Sequence, residues 1–246
     1  MLNGKEIKGI IFDYGGTLDT RGDHWSEVLW RCYQAEKVPI TRLAFREAYV
    51  FGERALAHSP FISPSDDFSD LLFIKVHLQL TYLYLHHHVR SEDVLQYDRK
   101  IAERAFQTTR KVILESKEVL NKVSKMYKLV LVSNFYGNIG SVLKNFHLLC
   151  YFDKIIESAV VGVKKPDPAI FQLGIEALDL PADRVLVVGD SITKDILPAK
   201  SLGCTTAWIK GVEWKESSKE ELLAPDITIS RLTDLFRFLT NIENKQ

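Results

Sequence analysis

The sequence predicts an α/β fold in which a parallel sheet carries helices on both faces and a long helical segment interrupts the chain after the first strand. Three observations predict it. A short apolar run, Ile7 to Phe12, stops at Asp13-Tyr14-Gly15-Gly16, as a buried strand entering a glycine turn does. From about Thr20 to Glu115 no second run of that kind occurs, and apolar residues such as Leu71, Ile74, Leu78, Tyr82, Leu85 and Val89 recur at helical spacing. After about Ser116 helical and strand-like segments alternate with short loops between them, the pattern of repeated β–α units.

Each element follows from local chemistry. Asp23 is a suitable N-cap for a helix from His24 to Glu36, and further helices are predicted from Thr41 to His58, Phe68 to His88 and Ser91 to Phe106. A helix ending at Met126 precedes a buried strand at Lys128–Val132, a helix at Ile139–Phe146 and a weaker strand at Lys154–Ile156. The cycle repeats with a helix at Pro168–Leu178, a strand at Val185–Val188, a short helix at Asp195–Ser201 and a strand at Thr205–Ile209. A strand at Ile227–Ile229 and a helix at Leu232–Asn241 complete the pattern.

Composition limits the function classes. With 46% hydrophobic residues and 26% charged, the chain is that of a globular protein rather than a disordered or collagen-like one. Its 32 basic and 32 acidic side chains leave no positive excess to bind nucleic acid or an anionic membrane by charge alone. Cys32, Cys150 and Cys204 are far apart and form no C-x-x-C pair, so they read as reduced thiols. The polar start and the lack of a spanning apolar run lead us to expect a cytoplasmic enzyme with no membrane partner.

In parallel sheets functional loops gather at the carboxyl ends of the strands. Here those ends carry Asp13, then Ser133-Asn134, then Gly189-Asp190-Ser191 with Asp195 close behind, while Lys164-Lys165-Pro166-Asp167-Pro168 lies between. Asp13 and Asp190 could hold Mg²⁺, a hard cation bound through one or two carboxylates together with substrate phosphate. Lysine, serine and backbone N–H groups could then hold phosphoryl oxygens.

In order along the chain, Asp13-x-x-Gly-Thr, the apolar strand to Ser133-Asn134, Lys165-Pro166-Asp167-Pro168 and Gly189-Asp190-Ser191-x-x-x-Asp195 resemble the motifs of the haloacid dehalogenase-like (HAD) hydrolase superfamily. The match spans the whole core, and the helical stretch after the first motif looks like that superfamily's mobile cap. The resemblance implies a Rossmann-like core formed by residues 1–19 and 116–246, with residues 20–115 as an inserted α-helical cap domain. It also implies Mg²⁺ dependence and hydrolysis of a phosphate ester through an aspartyl-phosphate. Carried over by position, Asp13 would be the nucleophile and Ser133 would donate to a phosphoryl oxygen, with Asn134 shaping the site. Lys165 would neutralise carboxylate and phosphate charge, with Lys164 as its substitute. Asp190 would bind the metal directly and Asp195 would sit beside it, the alternative being that Asp195 is only the N-terminal charge of its helix.

One position departs from the pattern. Most phosphatases of the family carry a second Asp two residues after the nucleophile, as general acid and base, and here that residue is Gly15. Its carbonyl can still bind Mg²⁺, because the family takes that ligand from the main chain. Three readings stay open. The first is a phosphatase acting on a small phosphorylated metabolite, its proton supplied by water, substrate or a surrogate such as His24 or Asp23. The second is a metal-independent 2-haloacid dehalogenase, and the third a degenerate member that binds a phosphorylated ligand or partner with little turnover. A lid over the site would govern substrate choice, with hinges expected at Thr20–Gly22 and Glu115–Ser116. His86-His87-His88 reads as a solvated helix end, since consecutive helical residues point about 100° apart. Trp25, Trp30, Trp208 and Trp214 are expected to pack rather than stack on substrate.

Overall fold

The computed structural model describes residues 6–214 and 225–239. Six parallel strands form one sheet in the order β3-β2-β1-β4-β5-β6. They are β1 (Gly9–Phe12), β2 (Lys128–Ser133), β3 (Lys154–Glu157), β4 (Val185–Gly189), β5 (Thr205–Ile209) and β6 (Ile227–Ile229). The chain winds from β1 to one edge through β2 and β3, then returns to the other side of β1 for β4, β5 and β6. The reversal falls between β1 and β4, and a crevice at such a switch point is where α/β sheets place ligands.

Side-chain alternation sorts the central strands into two cores, because successive residues of a strand face opposite sides of the sheet. Ile10, Phe12, Leu129, Leu131, Leu186 and Val188 face one side, while Ile11, Val130, Val132, Val185 and Val187 face the other. Both sets are fully buried, which is why these segments read as continuous apolar runs rather than alternating ones. The second side is closed by α7 (Ala169–Leu178), through Ile170, Phe171 and Ile175. The first side merges with a layer built by α1 (Trp25–Ala35), α2 (Arg42–His58), α3 (Phe68–Leu85) and α4 (Ser91–Val123). Shorter helices α5 (Ile139–Asn145), α6 (Ser158–Val161), α8 (Leu197–Ser201) and α9 (Phe236–Leu239) complete the connections. No described helix is long and apolar enough to cross a membrane.

Four local expectations are corrected. The N-cap of α1 is His24, whose Nδ1 accepts from the Ser26 backbone N–H at 3.2 Å. Asp23 instead accepts from the Val212 N–H and pairs with Arg31. The helices expected at Ser91–Phe106 and up to Met126 are a single helix of 33 residues, since neither Gly nor Pro interrupts Gln107 to Val123. The expected crossover at Glu115–Ser116 therefore lies inside α4. On α3 the buried face is Leu71, Leu72, Lys75, Val76, Gln79, Leu80 and Leu83, whereas Leu85 of the expected stripe is 62% exposed. Finally, the last helix begins as a 3₁₀ turn, Leu232–Leu235, before α9, and its expected end at Asn241 lies outside the described residues.

The three consecutive histidines are exposed beyond α3, as a solvated end requires. Cys32 and Cys204 are buried and Cys150 is exposed.

Candidate active site

Register brings the strand-end residues together. Phe12 of β1 lies between Leu131 of β2 and Val188 of β4, so the residues that follow these strands emerge at one edge. The Asp13 N–H donates to the Val188 carbonyl at 3.0 Å, continuing the ladder by one residue and fixing Asp13 beside the β4 loop. Gly16, at φ +96°, allows that loop to press close, because a β-carbon there would lie 2.2 Å from an Asp190 carboxylate oxygen. Gly189 serves the same end, since its β-carbon would fall 2.4 Å from that of Asp195.

Lys165 is the centre of the cluster. Its ammonium donates to Asp13 Oδ1 at 2.6 Å and to Asp195 Oδ1 at 2.7 Å, with all three side chains buried. Burial alone would lower the lysine's pKa, but the carboxylates of Asp13 and Asp195 outweigh it and hold the ammonium well above its usual range. Lys165 is positioned through Asn134, whose amide makes a reciprocal pair with its main chain: Asn134 Nδ2 donates to the Lys165 carbonyl at 3.0 Å, and the Lys165 N–H donates to Asn134 Oδ1 at 2.9 Å. The peptide bond from Lys165 to Pro166 is cis. Lys164 is exposed and has no contact with the carboxylates.

Asp13, Asp190 and Asp195 each present a carboxylate oxygen within 4.8 Å of the others, a spacing that one metal ion can bridge. Burial pushes the Asp13 carboxyl up to about 6 against the pull of Lys165, and burial followed by the charges of Asp13 and Asp195 pushes Asp190 well above the carboxylate range. The Thr17 hydroxyl donates to Asp13 Oδ2 at 3.0 Å. Trp208 donates its indole N–H to the Asp190 carbonyl at 2.7 Å, which fixes that loop from β5. Asp195 also accepts from the Ser191 N–H at 3.0 Å, so it braces the β4 loop as well as Lys165. Ser133, the last residue of β2, is buried at the same edge.

Both expected proton surrogates make local contacts, His24 Nδ1 with the Ser26 N–H and Asp23 with Arg31. Burial, then Lys194, lowers His24 to about 4, so the ring carries no imidazolium proton at neutral pH. The carboxylate of Asp23 is taken by Arg31 and the Val212 N–H. Sequence reasoning missed Asp19, which is 1% exposed and accepts from the Gly16 N–H at 2.7 Å and from Trp25 Nε1 at 2.9 Å. Its signal was proximity to the glycine turn, where a carboxylate is a natural acceptor for loop N–H groups. Burial raises its pKa to about 7.

A buried ammonium is shared between two carboxylates, with a third beside them, at the switch point of a parallel sheet. The family model described as haloacid dehalogenase-like hydrolase matches residues 7–203, and the chain belongs to that family. It is 34% identical over 93 residues to glyceraldehyde 3-phosphate phosphatase of Methanocaldococcus jannaschii, covering 38% of this chain and 40% of the relative. It is 32% identical over 123 residues to pyrimidine 5'-nucleotidase YjjG of Escherichia coli, covering 49% and 53%. The matches thus span about half or less of these relatives. Among solved structures, the magnesium-bound HAD-hydrolase YfnB of Bacillus subtilis is similar at TM-score 0.61 and 18% identity, covering 96% of this chain and 100% of that one. The L-2-haloacid dehalogenase of Xanthobacter autotrophicus is similar at 0.60 and 18%, covering 96% and 99%. At such identities the two structures share the fold, and the chemistry rests on the site.

Proposed function

We propose that the protein is a Mg²⁺-dependent phosphatase of small phosphorylated metabolites that works through an aspartyl-phosphate on Asp13. The observation that carries this reading is the excess of negative charge: Asp13, Asp190 and Asp195 cluster within 4.8 Å of one another, while a single ammonium, that of Lys165, pairs with Asp13 and Asp195. Three carboxylates, two buried and that of Asp190 half-buried, against one cation form a donor set of hard oxygens that suits Mg²⁺. Asp13, Asp190 and the Gly15 carbonyl would hold the ion, with Asp195 beside it. When bound, Mg²⁺ would neutralise charge on the phosphoryl oxygens.

The residues themselves do the rest. Thr17 and Lys165 restrain the Asp13 carboxylate, so that one oxygen attacks phosphorus as the bond from phosphorus to the leaving oxygen breaks. Ser133 would donate to a phosphoryl oxygen. Water then cleaves the acyl phosphate, releasing inorganic phosphate and restoring the carboxylate. Helices α1 to α3 and the first part of α4, roughly residues 20–115, act as the cap in this proposal. Arg21 pairs with Glu115 across the two crossover points, and Ser116 Oγ donates to the Leu18 carbonyl at 2.7 Å.

The test is hydrolysis of p-nitrophenyl phosphate, whose leaving group needs little protonation, by wild type and Asp13→Asn, each with Mg²⁺ and with a chelator. Turnover that requires both Mg²⁺ and Asp13 is expected. Halide release from a 2-haloacid without metal, in place of phosphate release, would establish the dehalogenase reading instead. A wild type inert in both assays would point to a binding role.

A further inference from the structure

Asp13, Ser133, Lys165 and Asp195 are each 5% exposed or less, so a substrate reaches Asp13 only by displacing what covers it. The cover is the seam between helices α2 and α3 and the carboxyl edge of the sheet, and three groups of side chains span it. On α5, Asn138 Nδ2 donates to the Asp66 carbonyl at 3.0 Å, the Ser141 hydroxyl to the Pro64 carbonyl at 2.6 Å and Asn145 Nδ2 to Asp67 Oδ2 at 3.2 Å. Beyond β5, Trp214 packs on Tyr49 with ring centres 5.3 Å apart and takes Arg46 over its face. The third is Tyr136, in the loop from β2 to α5. Its hydroxyl donates to Glu53 Oε2 on α2 at 2.8 Å and accepts from Lys75 Nζ on α3 at 3.1 Å. Lys75 and Glu53 Oε1 close the triangle as an ion pair at 2.8 Å.

These contacts differ in kind. Those of Ser141, Asn145 and Arg46 lie at the surface, where water replaces them at little cost. Both bonds of Tyr136 are to charged groups, the stronger class of hydrogen bond, and Lys75 is buried. Lys75 and Glu53 both belong to the helical layer, so their ion pair survives when the seam parts and only the two bonds of Tyr136 break. Other groups oppose closure. The Tyr14 ring meets Phe68 of α3 and Phe135 edge-on, at 6.3 and 5.6 Å, and buries a hydroxyl that has no hydrogen-bond partner among the described residues. Asn138 Oδ1 is orphaned in the same way. A buried polar atom without a partner costs stability that hydration restores, so both favour parting. Opposed terms of this kind make the seam an element with two states.

We propose that Tyr136 is the latch of the catalytic site: its bonds to Glu53 and Lys75 hold the helical layer closed over Asp13 and Ser133, and their breaking admits substrate. The latch is carried three residues beyond Ser133, so one loop both lines the site and fastens its cover. The inference concerns access, and it holds whatever reaction the site performs.

The test measures access with a thiol. Ser133→Cys places one at a position 1% exposed, in a chain whose exposed cysteine is removed by Cys150→Ser. Labelling by a chromogenic aromatic disulfide is followed site by site by mass spectrometry, with buried Cys32 and Cys204 as internal reporters of general unfolding. The introduced thiol is expected to react slowly, and Tyr136→Phe to speed it about tenfold or more while Cys32 and Cys204 keep their rates. Ser141→Ala, which removes a surface contact, should speed it less than about twofold. An unchanged rate in Tyr136→Phe overturns the latch. So does acceleration of all three thiols together, which would be general loosening, or an equal effect of Ser141→Ala, which would place the closure on α5. An introduced thiol that reacts as fast as Cys150 does in the natural chain overturns it as well, because the site would then stand open. Should the Ser133→Cys chain not fold, hydrogen exchange of the natural chain and its Tyr136→Phe variant decides. Faster exchange of residues 13–18 and 135–138, with β1 and β4 unchanged, supports the latch, and no difference overturns it.

Discussion

Gly15 leaves open the space that a general acid would fill. Among the described residues beyond its chain neighbours, a β-carbon there would come within 4 Å of Trp25 Nε1 alone, at 4.0 Å, and the residue is not held at a positive φ, so Gly15→Asp is expected to fold without strain. General acid–base assistance is worth about 10²- to 10⁴-fold, and a carboxyl at this position should raise kcat/KM on alkyl phosphates toward that range while changing p-nitrophenyl phosphate little. Steady-state kinetics on both leaving groups decides it, and equal effects on the two would show that proton transfer does not limit the wild type. Lys165 is the opposite case, a residue whose removal exposes a cost. Lys165→Met would leave Asp13 and Asp195 buried without their shared cation, a change of about 3–5 kcal/mol measurable by urea denaturation. Added Mg²⁺ should restore part of the stability, since the ion brings charge to the same carboxylates. No recovery with Mg²⁺ would separate metal binding from this cluster.

Two contacts tie α4 to the segment after β1, and they differ in weight. The pairing of Arg21 with Glu115 is about two-fifths exposed on both sides, and exposed ion pairs contribute about 0–1 kcal/mol. Ser116 is buried, and its loss would orphan the Leu18 carbonyl at about 1–3 kcal/mol. Ser116→Ala is therefore expected to lower the denaturation midpoint more than Glu115→Gln, and the reverse order would make the ion pair the principal clasp. The same helix shows where the sequence misleads. A resemblance that divides the chain at 115 and 116 invites a break, yet the lack of Gly and Pro from Gln107 to Val123 argued against one. On α3 apolar residues occur all round the helix, so no single stripe identified the buried face, and Lys75 and Gln79 went unnoticed. Strand ends were legible because an apolar run stopping at Asp, Ser-Asn or Gly-Asp is a local pattern. The contacts of Asp19 with Trp25 and of Lys75 with Glu53 and Tyr136 depend on tertiary packing, which no local pattern encodes.

Across the whole molecule, the site stores electrostatic free energy that its pH dependence should reveal. Asp19 has no exposed surface to speak of, and burial raises its carboxyl from an ordinary 3.8 to about 7. Between these values the folded protein holds a proton that the unfolded chain has released, so stability falls as pH rises across that window and levels off above about 7. Three pH units correspond to up to about 4 kcal/mol. His24 acts in the other direction: its pKa is lowered from 6.5 to about 4, so the unfolded chain holds the extra proton and stability rises with pH between those values. The two cancel in part below about 6.5, which makes the wild-type profile alone ambiguous. Asp19→Asn isolates the carboxyl, because its side-chain oxygen can still accept from the Gly16 N–H while the group no longer titrates. Measured by urea denaturation with chelator present, the stability of wild type relative to Asp19→Asn should decline from pH 4 to pH 7 and then stay flat. A constant difference would mean that the N–H groups of Gly16 and Trp25 hold Asp19 as an ordinary carboxylate, and that the link between the nucleophile loop and α1 is an ionic one at every pH of interest.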